Sequence, residues 1–318
     1  MLRFLAFLSL ALCLLPGAQA QSGRWPDKPI TLVVPFPVGG STDGTARTFA
    51  DAVSKSLGQP VVVENRVGAS GQVALSTAAK AKPDGYTFVM ATGPIMGLLP
   101  HVRKTGYDPF ADFVPVSRFA DSLLVVAVNG QLPVNTLAEF IDYAKARPQK
   151  LFFGSTGLST NRMSVEFLQQ RGSFKLTHVP YKGEPDGLMA LLAGDIQLMV
   201  LATGQIMQHV RSGKIKVLAI MDNERFEDMP GVPAITEVIP DFSVFGGFGM
   251  IAPAGTPMPI VEAMAAEINK VARLPEVRAK LKGIGAKPRD GTPAALAAQV
   301  RSDHELFGKL VSTLGIKE

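Results

Sequence analysis

The stretch ITLVVPFPVGGSTDGTARTFADAVSKSL, residues 30–57, decides the fold. Ile30–Phe36 is β-branched and apolar and reads as a buried strand. From Ala46 the apolar residues Phe49, Ala50, Val53 and Leu57 recur at helical spacing. Between the two lie Pro37, Val38, Gly39, Gly40, Ser41, Thr42 and Asp43. The glycines let the backbone approach a ligand or adopt positive φ. Ser41, Thr42 or Asp43 is expected to cap the helix. A strand that ends at a helix start places backbone N–H groups and hydroxyls at the positive end of a helix, where an anion binds well. The stretch alone is equally compatible with a strand-to-helix turn that holds nothing. Asp43 fits an anion seat only if it faces away from it.

Strand and helix patterns alternate through the remaining chain, which argues for an α/β protein with largely parallel sheets. The strands read at residues 60–66, 86–92, 151–153, 176–181, 196–202 and 216–221, with Phe113–Asn129 and Phe242–Ala252 extended. The chain is expected to leave a first domain near residue 125 and return near 243. Domain 1 is then 21–125 plus 243–318, and domain 2 is 126–242. Two crossovers between two Rossmann-like lobes make a hinge. Ligands of open α/β sheets bind beyond the carboxyl ends of the strands, here the cleft between the lobes.

The chain opens with the marks of a cleaved export signal. Arg3 is basic, Phe4–Leu15 is apolar, and Ala18-Gln19-Ala20 suits a signal peptidase that cuts after Ala20. The apolar run is shorter than the roughly 20 residues a bilayer span requires. Cleavage removes Cys13, the single cysteine, so the mature chain has no thiol or disulfide chemistry. The formal charge of +5 falls by one when Arg3 leaves, and basic residues are not interleaved with aromatics, which argues against nucleic-acid binding.

Catalytic and metal motifs are not found. His101, His178, His209 and His304 stand apart, without H-x-H or H-E-x-x-H spacing. Gly154-Ser155-Thr156-Gly157 is not G-x-S-x-G, and no phosphate-binding P-loop occurs. No catalytic residue, metal or cofactor is expected. The cleft loops are polar but unreactive. Candidate ligand contacts are Phe36, Val38, Gly40, Ser41, Thr42 and Asp43 in the first loop. Ser70, Thr92 and Gly93 follow on the same lobe, then Ser155, Thr156, Gly157, Leu158, Ser159, Arg162, Tyr181, Lys182 and Thr203 on the other. Hydroxyls and N–H groups of this kind bind a carboxylate without activating a nucleophile.

Longer motifs carry a family resemblance. Trp25-Pro26-Asp27-Lys28-Pro29-Ile30, Val33-Val34-Pro35-Phe36-Pro37 with Gly39-Gly40, and Leu57-Gly58-Gln59-Pro60-Val61-Val62-Val63-Glu64-Asn65-Arg66 resemble the Bug family. Pro83-Asp84-Gly85-Tyr86-Thr87, His178-Val179-Pro180-Tyr181-Lys182-Gly183 and Ala252-Pro253-Ala254-Gly255-Thr256-Pro257 continue the match over essentially the whole mature chain. Bug proteins are the TctC-like substrate-binding proteins of tripartite tricarboxylate transporters. The resemblance implies a two-lobed periplasmic binding protein, not an enzyme, that closes as a monomer on a small organic acid. Loops matching Phe36–Asp43 and Ser155–Ser159 would grip it. Membrane transporter subunits, or alternatively a membrane sensor, would read the closed form. An exported hydrolase is the remaining alternative. The chain departs from the family pattern at Arg162-Met163, Ala190, Leu201 and Gly247. Arg162 is expected to add a positive contact and Gly247 to open space, favouring a larger or more acidic carboxylate.

Overall fold

A computed structural model of the chain describes residues 25–315, apart from 243 and 245. The signal-peptide reading therefore lies outside the described residues. The chain begins β1 (Ile30–Val34), α1 (Ser41–Leu57), β2 (Val61–Asn65), α2 (Gln72–Ala78), β3 (Thr87–Thr92), α3 (Leu99–Val102) and β4 (Phe113–Ser122). It continues with β5 (Leu124–Asn129), α4 (Leu137–Lys145), β6 (Phe152–Ser155), α5 (Thr160–Gly172), β7 (Thr177–Pro180) and α6 (Glu184–Ala193). Next come β8 (Leu198–Ala202), α7 (Thr203–Arg211), β9 (Ile215–Ile220) and α8 (Ile235–Val238). The chain then runs through β10 (Gly247–Pro253), α9 (Met258–Ala272), α10 (Pro275–Ile284), β11 (Ala286–Pro288) and α11 (Pro293–Leu314).

Among the described residues the strands form two sheets, ordered β11-β4-β10-β3-β1-β2 and β7-β6-β8-β5-β9. The chain passes from the first sheet to the second at Leu123, between β4 and β5, and comes back ahead of β10. Helices cover the sheets, giving an α/β protein of two lobes. The sheets are mixed rather than largely parallel. β1 pairs in parallel with β2 and β3, and β6 with β7 and β8. β10 is antiparallel to β3 and β4, and β5 is antiparallel to β8 and β9. β5 and β10 each enter their sheet from the other lobe rather than through a crossover helix, so no βαβ constraint sets their direction.

The first unit is close to its expected form. β1 stops at Val34, because Pro35 has no N–H for the ladder. α1 buries Ala46, Phe49, Ala50 and Val53, as the spacing predicts. Phe49 meets the ring of Phe119 edge-on at 4.6 Å, and burying such a side chain stabilises by roughly 1.5–3 kcal/mol. The helix start differs from expectation. Gly40 is the N-cap, and no side chain caps it, so Ser41, Thr42 and Asp43 form the first turn.

Candidate functional site

A cleft of about 620 Å³, part of it open to solvent, lies where loops of the two lobes face each other. Phe36, Pro37, Gly40, Ser41, Thr42 and Thr92 line it from the first lobe. Thr156, Ser159, Thr160, Asn161, Gly183, Glu184 and Pro185 line it from the second. Ser122 and Leu124, on either side of the outward crossover, and Gly247 and Phe248, just after the return, complete the wall. Glu184 is the one ionisable residue in this lining, so the cleft surface is otherwise hydroxyls, amides, backbone and apolar side chains.

The heads of two long helices meet here. At α1 the loop is fixed from behind by Asp43, which is 3% exposed. Its carboxylate accepts from the Gly39 N–H at 3.1 Å, from Arg47 Nε at 3.0 Å and from Asn65 Nδ2 at 2.9 Å. Asn65 also donates to the Phe36 carbonyl at 2.9 Å. Burial pushes the Asp43 pKa up, but the hydrogen bonds from Arg47, Asn65 and Gly39 outweigh it and hold the group below the usual carboxylate range. Asp43 thus faces away from the cleft and ties loop, helix and β2 together. Gly39, at φ +89°, supplies the left-handed turn this loop needs.

At α5 the N-cap is Ser159, whose Oγ accepts from the Arg162 N–H at 3.3 Å. Thr160 and Asn161 occupy the first turn, where N–H groups have no acceptor within the helix. Asn161 is anchored by donating to the Val200 carbonyl at 2.8 Å.

Glu184 reaches across the cleft from the first residue of α6. Its Oε2 accepts from the Ser41 N–H at 3.1 Å and from Gln205 Nε2 at 2.9 Å. Its Oε1 accepts from Ser41 Oγ at 3.3 Å and from Asn161 Nδ2 at 3.2 Å. A second bridge between the lobes runs from the Leu158 N–H to Ser70 Oγ at 3.2 Å. Ser70 lies in a loop where Gly68, Ala69, Ser70 and Gly71 all have positive φ, a conformation that strains the two non-glycine residues.

Of the residues expected from sequence, Phe36, Gly40, Ser41, Thr42, Thr92, Thr156 and Ser159 line the cleft. Val38 is 65% exposed and outside the lining. Gly93 is turned toward α11, where an added Cβ would sit 2.7 Å from Asp303 Oδ2. Gly157 packs on Ser70, and Leu158 is buried in the core. Tyr181 covers Gly154 and Gly187, Lys182 is exposed, and the Thr203 N–H is tied to the Leu123 carbonyl at 2.9 Å. Arg162 turns along its own helix, with Nε 3.6 Å from Glu166 Oε1, and does not line the cleft. Gly247 does line it, and a Cβ there would stand 3.1 Å from the Arg118 guanidinium. Asn161, Glu184, Gln205 and the crossover residues were not anticipated. Only Asn161 had a signal, as a polar residue in the first turn of α5.

Ser155 Oγ lies 2.7 Å from His178 Nε2, the pairing that activates a nucleophile in hydrolases. Ser155 is 0% exposed and outside the lining, so a substrate carbonyl has no approach to it. Burial, helped by the charge of Arg162, pushes His178 down to about 4, which keeps it neutral. Among the described residues no group of three His, Cys, Asp or Glu side chains could hold a metal ion, and no helix is long and apolar enough to cross a membrane.

The family described as the tripartite tricarboxylate transporter family receptor matches residues 45–316. BugT of Bordetella pertussis is 32% identical over 305 residues, covering 95% of this chain and 94% of that one. The structure of periplasmic binding protein BugD superposes with a TM-score of 0.85 at 30% identity, over 92% of this chain and 99% of BugD. Rpa4515 of R. palustris, solved with adipate, gives a TM-score of 0.86 at 34% identity over 92% of this chain and 99% of Rpa4515. The two-lobed α/β fold is thus shared with periplasmic binding proteins of known structure. The chain belongs to the tripartite tricarboxylate transporter receptor family.

Proposed function

We propose that the protein is a periplasmic receptor that captures a small organic acid between its lobes and delivers it to the membrane subunits of a tripartite transporter. The observation that carries this reading is the cleft itself. Facing helix heads and hydroxyls line it, and the similar protein Rpa4515 was solved with adipate. Such a lining can hold a carboxylate through N–H and O–H donors. The role is binding without turnover. The lobes built on the two sheets, which meet at Leu123 and at the return ahead of β10, act as the two moving bodies, and closure presents one surface formed by both. Export with cleavage after Ala20 leaves Gln21 as the mature N-terminus, and the mature protein acts as a monomer.

The test is a thermal-shift and native mass-spectrometry survey of C3–C8 organic acids. An acid at 100 times its Kd stabilises by about 2.7 kcal/mol, and the acid is recovered unchanged. A survey in which no acid shifts the midpoint overturns the reading. Intact-mass analysis of the periplasmic fraction checks the Gln21 terminus.

A further inference from the structure

Resting on the organic-acid reading, we propose that Glu184 fills one of the two anion seats of the cleft, so that the native ligand is a monocarboxylate whose far end is uncharged. The seat at the head of α1 is already taken by a carboxylate, that of Glu184, supplied from the opposite lobe. An ionised carboxylate has about four lone-pair sites. Glu184 uses them on the Ser41 N–H, Ser41 Oγ, Asn161 Nδ2 and Gln205 Nε2, two donors to each oxygen. It therefore needs nothing further from a ligand.

All four donors are neutral, and among the described residues no Lys, Arg or His is in the cleft lining; the Arg118 guanidinium behind Gly247 is paired with Asp121. The negative charge of Glu184 is solvated by dipoles but not cancelled. A ligand carboxylate brought within about 4–6 Å of it would meet a like charge at a partly desolvated site, which is unfavourable. The head of α5 gives Glu184 only the Asn161 side-chain amide; Thr160 and the hydroxyls of Thr156 and Ser159 line the cleft beside it, at a helix start whose N–H groups have no acceptor within the helix. That leaves one seat for one ligand carboxylate. The remainder of the ligand faces Phe36, Pro37 and Phe248 and the bound Glu184, surroundings suited to an apolar or amide-bearing chain. Glu184 thus acts as a specificity-determining residue through repulsion of diacids as well as occupancy of their second site.

The experiment compares matched pairs by calorimetric titration: succinate with succinamate, glutarate with glutaramate, adipate with adipamate. Each half-amide has its diacid's length and shape but one charge fewer. The native protein is expected to bind at least one half-amide tenfold or more tighter than its diacid. Glu184→Gln and Glu184→Ala are expected to shrink that preference at least tenfold, by gaining affinity for the diacid. Two variants are used so that a folding defect in one leaves the other to decide. The proposal is overturned if the native protein binds diacids as tightly as half-amides, or if both variants leave the ratio unchanged. If neither member of any pair binds the native protein or either variant, the organic-acid reading falls, and this proposal with it.

Discussion

The Asp43 carboxylate collects N–H groups from three places: the loop before α1, one turn further along α1, and β2. Its removal should loosen Phe36–Gly40 without touching the cleft wall directly. Asp43→Ala is expected to cost about 2 kcal/mol, the order seen when a buried charged acceptor is lost, read as a lower urea midpoint. His178 gives a pH signature. Its folded pKa, about 4, lies below the ordinary 6.5, so between these values the unfolded chain binds the extra proton. The stability His178 contributes is present above pH 6.5 and is lost as pH falls toward 4. His178→Gln, which retains a hydrogen-bond partner for Ser155, should flatten the fall in melting temperature across that window. An unchanged slope would remove His178 from the acid response. At this scale the sequence was legible where a role is local. Asp43 four residues before Arg47, and Ser159 before a helix, carry their partners with them. Arg162 also had its partner one turn on, Glu166, and the pair accounts for its absence from the lining. Glu184 was not legible, because its donors come from positions 41, 161 and 205, which only the closed fold brings together.

Strand–helix alternation fixed the elements well, since α1, α9 and α11 have apolar faces with long helical periods. Sheet order was not written there. The antiparallel entry of β5 and β10 depends on which lobe the chain comes from, a fact no local period records. β11, with three residues, and α8, with four, are too short to show a period at all. Two predictions belong to this scale. Ala69 holds φ +46° in the loop beside Ser70, and Ala69→Gly relieves that strain, raising stability by up to about 1 kcal/mol. Gly204 lets α7 approach α10 so closely that a Cβ would sit 2.2 Å from the Gly283 carbonyl oxygen. Gly204→Ala must push the two helices apart, at a cost of about 1–3 kcal/mol. Both effects are readable from chemical denaturation, and a neutral Gly204→Ala would mean the helices are not held at this distance in solution.

Across the whole molecule, the contacts between lobes fall on both sides of the crossover. Ser41 with Glu184 and Ser70 with Leu158 span the cleft. Behind it, Lys282 pairs with Asp228 at 2.9 Å, and Leu123 donates to the Gly285 carbonyl while accepting from the Thr203 N–H. One backbone unit thus holds both lobes, and a bound acid adds contacts only at the front. Hydrogen exchange in the presence of a saturating acid should slow at 39–43 and at 155–161 together. Protection confined to one loop would show that the ligand rests on a single lobe.

The position of β10 has a consequence for how the chain is made. It lies between β3 and β4 at the centre of its sheet, yet it follows the entire second sheet in the sequence. As the polypeptide lengthens from its N-terminus, β5–β9 have every partner they need once β9 has emerged. β3 and β4 do not, and they remain unpaired along their facing edges until β10 is synthesised. The second sheet can be complete before β10 exists, and the first cannot. A chain truncated before Gly247 leaves β3 and β4 without the strand that joins them.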